Sequence, residues 1–449
     1  MPDSAVQPPG VKLGHDDYAL ERVPPSARYG WWTVAVQRFG MLSALSQFLL
    51  GATLGMGMRF WDAVLAITLG AVILEVVAIA VGVAGMREGL STTVLARWAG
   101  FGRYGAGVVG VVVAVALLGW FGVQSAVLAS GLSSLLGGPP VWVWSVLAGL
   151  VVTAVVVHGF RGMAWLAWIT VPAFLVLAGW AITVELSKQS LSALVASAPP
   201  GPPLDLAQAT TLVAGGFIVG AVISPDMCRM NRSVADVVKQ TVLGITLGEY
   251  VIALVGVLLA HALRTGDVIA IVTTTSGAVG TLVLVTATLK INDWNLYSAG
   301  LGMTNTLETA FGVRVSRPLV TVVLGAVGTT LAAAGILDHL IDFLVLLGVA
   351  IPPVAGIMVA EYYVVRRWRP ALEESRRTGT LPASAPAVVP AALVVWLGAA
   401  LVGKFVTWGV PALNALAVAF VAYVAAGRAG LIAADRPSVP EGADTPAAR

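Results

Sequence analysis

Charge is what this chain has least of. Only 11% of its 449 residues are charged, against roughly 25% in an ordinary soluble domain. That scarcity excludes a water-soluble globular protein. The formal net charge of +3 is too small to point to nucleic acid as a partner. Cysteine is nearly missing as well: Cys228 stands alone, so no intramolecular disulfide can form. Of the four histidines, His158, His261 and His339 are scattered at no metal-ligand spacing. No nucleophile–base pair or metal constellation is visible, so neither an enzyme nor a resident cofactor is expected. Residues 1–30 contain no apolar run that could serve as a cleavable signal peptide; they read as a polar tail with a short interfacial segment at 17–23.

Apolar runs are what the chain has in abundance. Hydrophobic residues make up 58% of it, and mean hydropathy is +0.89. Twelve segments read as membrane helices: 31–58, 60–84, 104–135, 140–158, 162–186, 206–226, 237–263, 277–303, 316–335, 338–364, 388–406 and 409–433. The expected fold class is therefore an all-α polytopic membrane protein, with the lipid bilayer as its surroundings. An even number of spans places both termini on one side. If that side is cytoplasmic, twenty Lys and Arg fall in inside segments. Only Arg59, Lys188, Arg264 and Lys404 fall outside, while Arg38 and Lys290 lie within helices. This asymmetry predicts cytoplasmic termini, including the tail at 434–449. Trp31, Trp32, Trp61, Trp142, Trp144 and Trp408 fall near segment ends, as an interfacial belt does. The run from Gly105 to Gly110 fits a dinucleotide-binding pattern, but no strand precedes it. Close packing through small residues accounts for it.

The stretch Val283–Met303 is the exception to the apolar rule. Lys290, Asn292, Asp293 and Asn295 occur within six positions of an otherwise apolar helix. A charge at mid-membrane depth costs about 2.5–3.5 kcal/mol, so such residues face a protein interior or a watery path. Lys290 and Asp293 are three apart on one helical face and can pair. A purely structural pair is one reading; a functional site is favoured, because apolar residues would hold helices together at lower cost. Two further segments carry helix-loosening residues: the first, with Gly40, Ser43, Ser46, Gln47, Gly51 and Gly55, and the sixth, with Gly215, Gly216, Gly220 and Pro225. Interrupted helices five apart point to a transporter built on inverted repeats, with a midplane site. Small-residue packing is the alternative. In the third segment, Trp120 is followed one turn later by Gln124. A ring beside an amide suits a flat, hydrogen-bonding heterocycle, and equally suits a packed Trp with a back-bonded amide. Arg38, Glu75 and Glu249 are buried charges on segments expected to pack together, and are expected to find charged partners.

Several stretches in order resemble the nucleobase:cation symporter-1 family, most closely its cytosine permease branch: Gly89–Arg97, Gly119–Gln124, Gly215–Arg229, Asn292–Asn305 and Ala350–Val365. The resemblance implies a leucine-transporter-like fold. Two inverted five-helix repeats, 31–186 and 206–364, have discontinuous first and sixth helices, and two extra helices follow at 388–433. It implies a secondary active transporter, not an enzyme, that imports a nucleobase or related planar N-heterocycle by alternating access. Alternatives are a thiamine-type pyrimidine precursor, hydantoin or allantoin. No obligate protein partner is implied. Carried over by position, Trp120 and Phe217 would stack the ligand, Gln124 and Asn292 would contact it, Gly216 would mark the helix-six break, and Ala44 would lie near it. Leu117 and Gly216 replace residues that contact cytosine in that branch, which puts cytosine itself in doubt. In sodium-coupled relatives a cation sits at positions matching Gly40, Ser43, Ala287, Lys290 and Ile291, the last two usually hydroxyl residues. Here a lysine ammonium would stand in for the ion. Transport is expected to be Na⁺-independent, with H⁺ coupling through Lys290 narrowly favoured over uncoupled transport; a Na⁺-coupled symporter is the alternative.

Overall fold

The computed structural model describes residues 17–43, 45–266, 278–336, 347, 349–406, 408–432 and 439–440. It is mostly helical. The helices that place the site are α1 (Trp31–Leu42), α2 (Leu45–Gly57), α3 (Phe60–Glu88), α4 (Gly102–Leu136), α5 (Val141–Val157), α6 (Gly159–Leu186), α7 (Leu206–Val222), α8 (Ser224–Cys228), α9 (Val234–Gly248), α10 (Leu254–Leu263), α11 (Ala278–Phe311) and α12 (Arg317–Ala333). Beyond them lie α13 (Pro352–Val359), α14 (Arg369–Thr378), α15 (Pro390–Phe405) and α16 (Pro411–Arg428). Among the described residues five helices are long and apolar enough to cross a membrane, or six if the bent pair α1–α2 is one span. Large apolar side chains cover the outer surface, among them Val76, Val176, Val394 and Leu397. A surface of that kind is stable against lipid and unstable against water. Trp32, Trp61, Trp142 and Trp408 are exposed on it.

The first apolar segment is indeed interrupted. α1 and α2 meet at 55°, and Ser43 leaves the helical region with φ −72°, ψ 46°. The break leaves little unsatisfied there: the Ser43 N–H and hydroxyl both donate to the Phe39 carbonyl, at 2.9 and 3.0 Å. Beyond the break α2 lies against α10 at backbone contact. A Cβ on Gly51 would run into the Ala253 carbonyl, and one on Gly256 would sit 2.5 Å from the Phe48 oxygen. Glycine is required at such an approach because any side chain would force the helices apart.

The sixth segment behaves differently from expectation. α7 starts at an Asp205 cap, whose carboxylate accepts from the Gln208 N–H at 2.8 Å, and it runs unbroken through Gly215 and Gly216. Its interruption comes at Ile223, with φ −84°, ψ 12°, immediately before Ser224 and Pro225 of α8. Two glycines weaken a helix by about 1 kcal/mol each, without forbidding it. Proline lacks an N–H and its ring crowds the carbonyl four residues back, so the turn ahead of Pro225 gives way instead.

Among the described residues the most extensive helix–helix contact is between α4 and α11. At their crossing a Cβ on Gly302 would lie 2.9 Å from the Gly110 carbonyl, so the Gly105–Gly110 run is indeed a packing motif. The expected pairing of Arg38, Glu75 and Glu249 does not occur. Arg38 Nε donates to Gln240 Oε1 at 2.7 Å and Nη1 to Ser224 Oγ at 3.2 Å. Glu75 accepts from the Thr246 hydroxyl at 2.5 Å. Neither carboxyl oxygen of the buried Glu249 has a hydrogen-bond partner among the described residues. α9 does pack against both α1 and α3, but neutral amide and hydroxyl groups meet Arg38 and Glu75. Such groups satisfy a charge without bringing a second one out of water.

The glycine contact generates a stability test. Gly51→Ala places a methyl against immobile backbone and is expected to cost about 1–3 kcal/mol. Gly179→Ala, with nothing within 4 Å of the new atom, is expected to be neutral or to stabilise by up to about 1 kcal/mol. Thermal unfolding of the two purified variants in detergent measures the difference.

Candidate functional site

A cavity, part of it open to solvent, lies where α1, α2, α4, α7 and α11 converge. α4 contributes Leu117, Trp120 and Gln124; α7 contributes Gly216, Phe217, Val219 and Gly220, with Ile223 just after it. Met41 and Gln47 come from the two halves of the broken first segment, and Ile291, Trp294 and Asn295 from α11. Four of the expected site residues therefore meet: Trp120, Gln124, Gly216 and Phe217. Trp120 and Gln124 share a face of α4 because they are one helical turn apart. The Phe217 ring lies over Gly220, where a Cβ would sit 2.5 Å from the ring's Cζ. Gly220 is thus the residue that lets this ring take its place. Two indoles, one phenyl ring and three amide side chains make a slot with flat apolar walls and a few polar groups. That is the chemistry of a site for a planar heterocycle.

Asn292 is not on the cavity wall. It is buried behind it, where its Nδ2 donates to the Phe121 carbonyl at 3.2 Å and to Ser125 Oγ at 2.9 Å. Its Oδ1 accepts from Asn295 Nδ2 at 3.0 Å. The amide on the cavity wall is instead that of Asn295, three residues on. The reason is helical phase: Ile291, Trp294 and Asn295 are spaced i, i+3, i+4 and form one stripe, and Asn292 falls outside it. That stripe was available in the sequence as a signal for Trp294 and Asn295. Gln47 was visible only as one polar residue among several in the first segment. Ala44 lies outside the described residues.

Lys290 and Asp293 do pair, with Nζ 2.5 Å from Oδ2 and both side chains buried. The lysine stem fills the space beside Gly40, where a Cβ would lie 2.6 Å from Cγ and 3.0 Å from Cε. The ammonium stands 6.0 Å from the centroid of the Trp294 ring, so the ion pair adjoins the cavity through a wall residue. Of the other positions expected around a cation, Ser43 turns its hydroxyl to Phe39. Ala287 packs in an apolar cluster with Phe39, Val171, Phe174 and Ile252, and Ile291 lines the cavity. The ammonium's hydrogen bond goes to Asp293 rather than to a carbonyl of Gly40 or Ser43. An adjacent carboxylate outcompetes neutral carbonyls for a buried cation.

Known proteins match this chain over most of its length. The family model described as a permease for cytosine/purines, uracil, thiamine, allantoin matches residues 22–380. The cytosine permease of Escherichia coli (strain K12) is 28% identical over 357 residues, covering 78% of this chain and 82% of that protein. The hydantoin permease of Microbacterium maritypicum is 24% identical over 389 residues, covering 80% and 77%. Among solved structures, the nucleobase-cation-symport-1 family transporter Mhp1, in a closed conformation with bromovinylhydantoin bound, superposes with a TM-score of 0.77 at 22% identity. That match covers 91% of this chain and 94% of the other. With the family model spanning well over half of the sequence, this chain belongs to the permease family for cytosine and purines, uracil, thiamine and allantoin, the nucleobase:cation symporter-1 family.

Proposed function

We propose that this protein is a secondary active transporter that imports a nucleobase or related planar N-heterocycle. The observation that carries the proposal is the cavity at the broken first segment, with Trp120, Phe217 and Trp294 as flat walls and Gln47, Gln124 and Asn295 as polar groups. In this reading the chain spans the cell membrane twelve times with both termini in the cytoplasm. Residues 31–186 and 206–364 form two inverted repeats, and the substrate is exposed to each side in turn as they rock about the cavity. No covalent chemistry is involved. Leu117, Met41 and Ile291 make part of the wall apolar. That favours a base or hydantoin carrying an apolar substituent over bare cytosine.

Coupling is assigned to Lys290. Its stem occupies the space beside Gly40 and its charge is neutralised by Asp293. A sodium ion entering there would meet a resident ammonium and be repelled. Transport is therefore Na⁺-independent, and a proton exchanged at the Lys290–Asp293 pair drives it.

Three measurements test these statements. Uptake of cytosine and of a 5-substituted hydantoin into proteoliposomes is expected to saturate and to persist when choline replaces Na⁺. A protonophore is expected to collapse it. Strong Na⁺ stimulation of the wild type overturns the coupling assignment. Trp120→Ala is expected to weaken ligand binding at least about tenfold, and Trp120→Phe much less, because a ring retains most of the stacking. Equal binding by wild type and Trp120→Ala removes Trp120 from the site. For the ion pair, Lys290→Met alone leaves a buried carboxylate unpaired and is expected to cost about 3–5 kcal/mol. Adding Asp293→Leu is expected to recover most of that loss. Thermal unfolding of the two single variants and the double variant closes this cycle.

A further inference from the structure

The hydrogen bonds behind the cavity fix the polarity of its wall. An amide side chain can be turned by half a rotation without changing shape, so its neighbours must decide which end is oxygen. At Asn292 one neighbour is a backbone carbonyl, that of Phe121. A carbonyl can only accept, so the Asn292 amide nitrogen must face it, and Asn292 Oδ1 must point the other way. That oxygen also only accepts, so the group facing it from Asn295 must be the amide nitrogen, as the 3.0 Å contact has it. Asn295 is then left with one orientation. Its Oδ1 makes no hydrogen bond within the described protein, and Asn295 lines the cavity. Two hydrogen bonds, from Asn292 to Phe121 O and from Asn295 to Asn292 Oδ1, thus leave Asn295 Oδ1 as the acceptor for whatever occupies the slot. Gln47, across the cavity on α2, is buried, its Oε1 has no partner, and no hydrogen bond among the described residues holds its amide either way round.

We infer that Asn295 Oδ1 is a fixed hydrogen-bond acceptor that selects ligands carrying an N–H on the facing edge, and that Asn292 is the positioning residue that holds it in that sense. Gln47 is the adaptable amide, able to donate or accept as the ligand requires. This inference rests on the functional reading above and narrows its substrate class. The ligand is a planar heterocycle with a ring N–H or exocyclic amine directed at α11. A ring that offers only carbonyls or bare nitrogens there leaves two acceptors face to face. A buried polar group left unpaired discriminates strongly.

The test uses the full-length protein in detergent and binding measured by calorimetry. Cytosine and hydantoin are each compared with derivatives methylated at one nitrogen at a time. They are also compared with exchanges that add no bulk: uracil, with a carbonyl in place of the amine and an N–H in place of the bare ring nitrogen beside it, and oxazolidine-2,4-dione, with a ring oxygen in place of an N–H. In the wild type, one position of a parent that binds is expected to lose at least about tenfold on either kind of change. In Asn295→Ala the parent is expected to weaken to the level of that analogue, so the ratio between them falls towards one. In Asn292→Leu, Asn295 is freed to rotate, and the same ratio is expected to fall while the parent still binds. A purely structural role for Asn292 would lower both affinities and leave the ratio intact. If a parent binds and no N–H replacement costs affinity, or the ratio survives Asn295→Ala, the inference is overturned and the transport reading stands. If neither parent binds the wild type, the functional reading fails and this inference falls with it. The analogue series on the wild type decides the matter even if a variant fails to fold.

Discussion

Lipid offers no water to a backbone polar group, so every interruption of a helix must be satisfied by protein. That constraint shapes the middle of this molecule. The first apolar segment breaks at Ser43, and the break is buried among α4, α7 and α11. The freed N–H is still returned to Phe39. α7 ends in the same way at Ile223, where α8 turns away beneath it. Both interruptions border the cavity: Met41 and Gln47 flank the first, and Ile223 is the second. The irregular backbone and the cavity are thus two aspects of one solution. A chain that must bend inside a membrane bends where protein surrounds it, and the bend leaves room that a ligand can fill.

Buried charge obeys the same rule by several routes. Lys290 and Asp293 neutralise one another within a single turn of α11. Glu308 is shared between Arg97 and Arg103, each at 2.6 Å, which joins α11 to the start of α4. Arg38 is met by an amide and a hydroxyl instead. The choice follows from what each position has to do. A pair within one helix holds its charges close whatever the neighbouring helices do, whereas Arg38 bonds α8 and α9 to α1 without a second charge to desolvate. Glu249 stands apart from these arrangements. It opens a π-helical turn, Glu249–Ala253, where α2 presses on that turn and on α10.

Much of this was legible in the sequence because membrane patterning is strong. Twenty-residue apolar runs announce helices, and isolated polar residues within them announce buried sites. Trp120 and Gln124 stood out as a ring and an amide deep in an apolar run, but spacing alone left a packing role equally open; it was the resemblance to the nucleobase:cation symporter-1 family that placed them, with Phe217, at the ligand. What the sequence could not settle was helical phase and local breakage. Asn292 and Asn295 are both buried amides, three residues apart, and only the rotation of α11 against α4 decides which one meets the cavity. The glycine pair at 215–216 looked like the weakest point of the sixth segment. The helix instead yields before Pro225, because a missing N–H removes a bond whereas a missing Cβ only lowers a preference. Partners of the charges were illegible for a related reason. A hydroxyl or amide on an adjacent helix leaves no charge pattern to read, so Gln240, Ser224 and Thr246 carried no advance signal.

One end of the bundle is crossed by the residues that precede α1. Arg229, just after α8, donates to the carbonyl of Tyr18 at 2.8 Å and to the hydroxyl of Tyr297 on α11 at 2.9 Å. That hydroxyl in turn donates to Asp17 Oδ2 at 2.5 Å, and the same oxygen accepts from the Phe160 N–H at the start of α6. Arg22 continues the seam by pairing with Glu88 at the end of α3, at 2.9 Å. The segment 17–23 is thus a strap across the elements that flank the cavity: α3 and α8 on one side, α6 and α11 on the other. α11 is common to both structures, since the helix that carries Tyr297 at the strap also carries Trp294 and Asn295 at the cavity wall, within one turn. Any separation of α8 from α11 at that end must break charge-assisted bonds inside a buried seam, each worth more than a neutral one. That end of the bundle is thus joined by a small number of strong, directional contacts, beside apolar packing whose many weak contacts change little when helices shift by a fraction of an ångström.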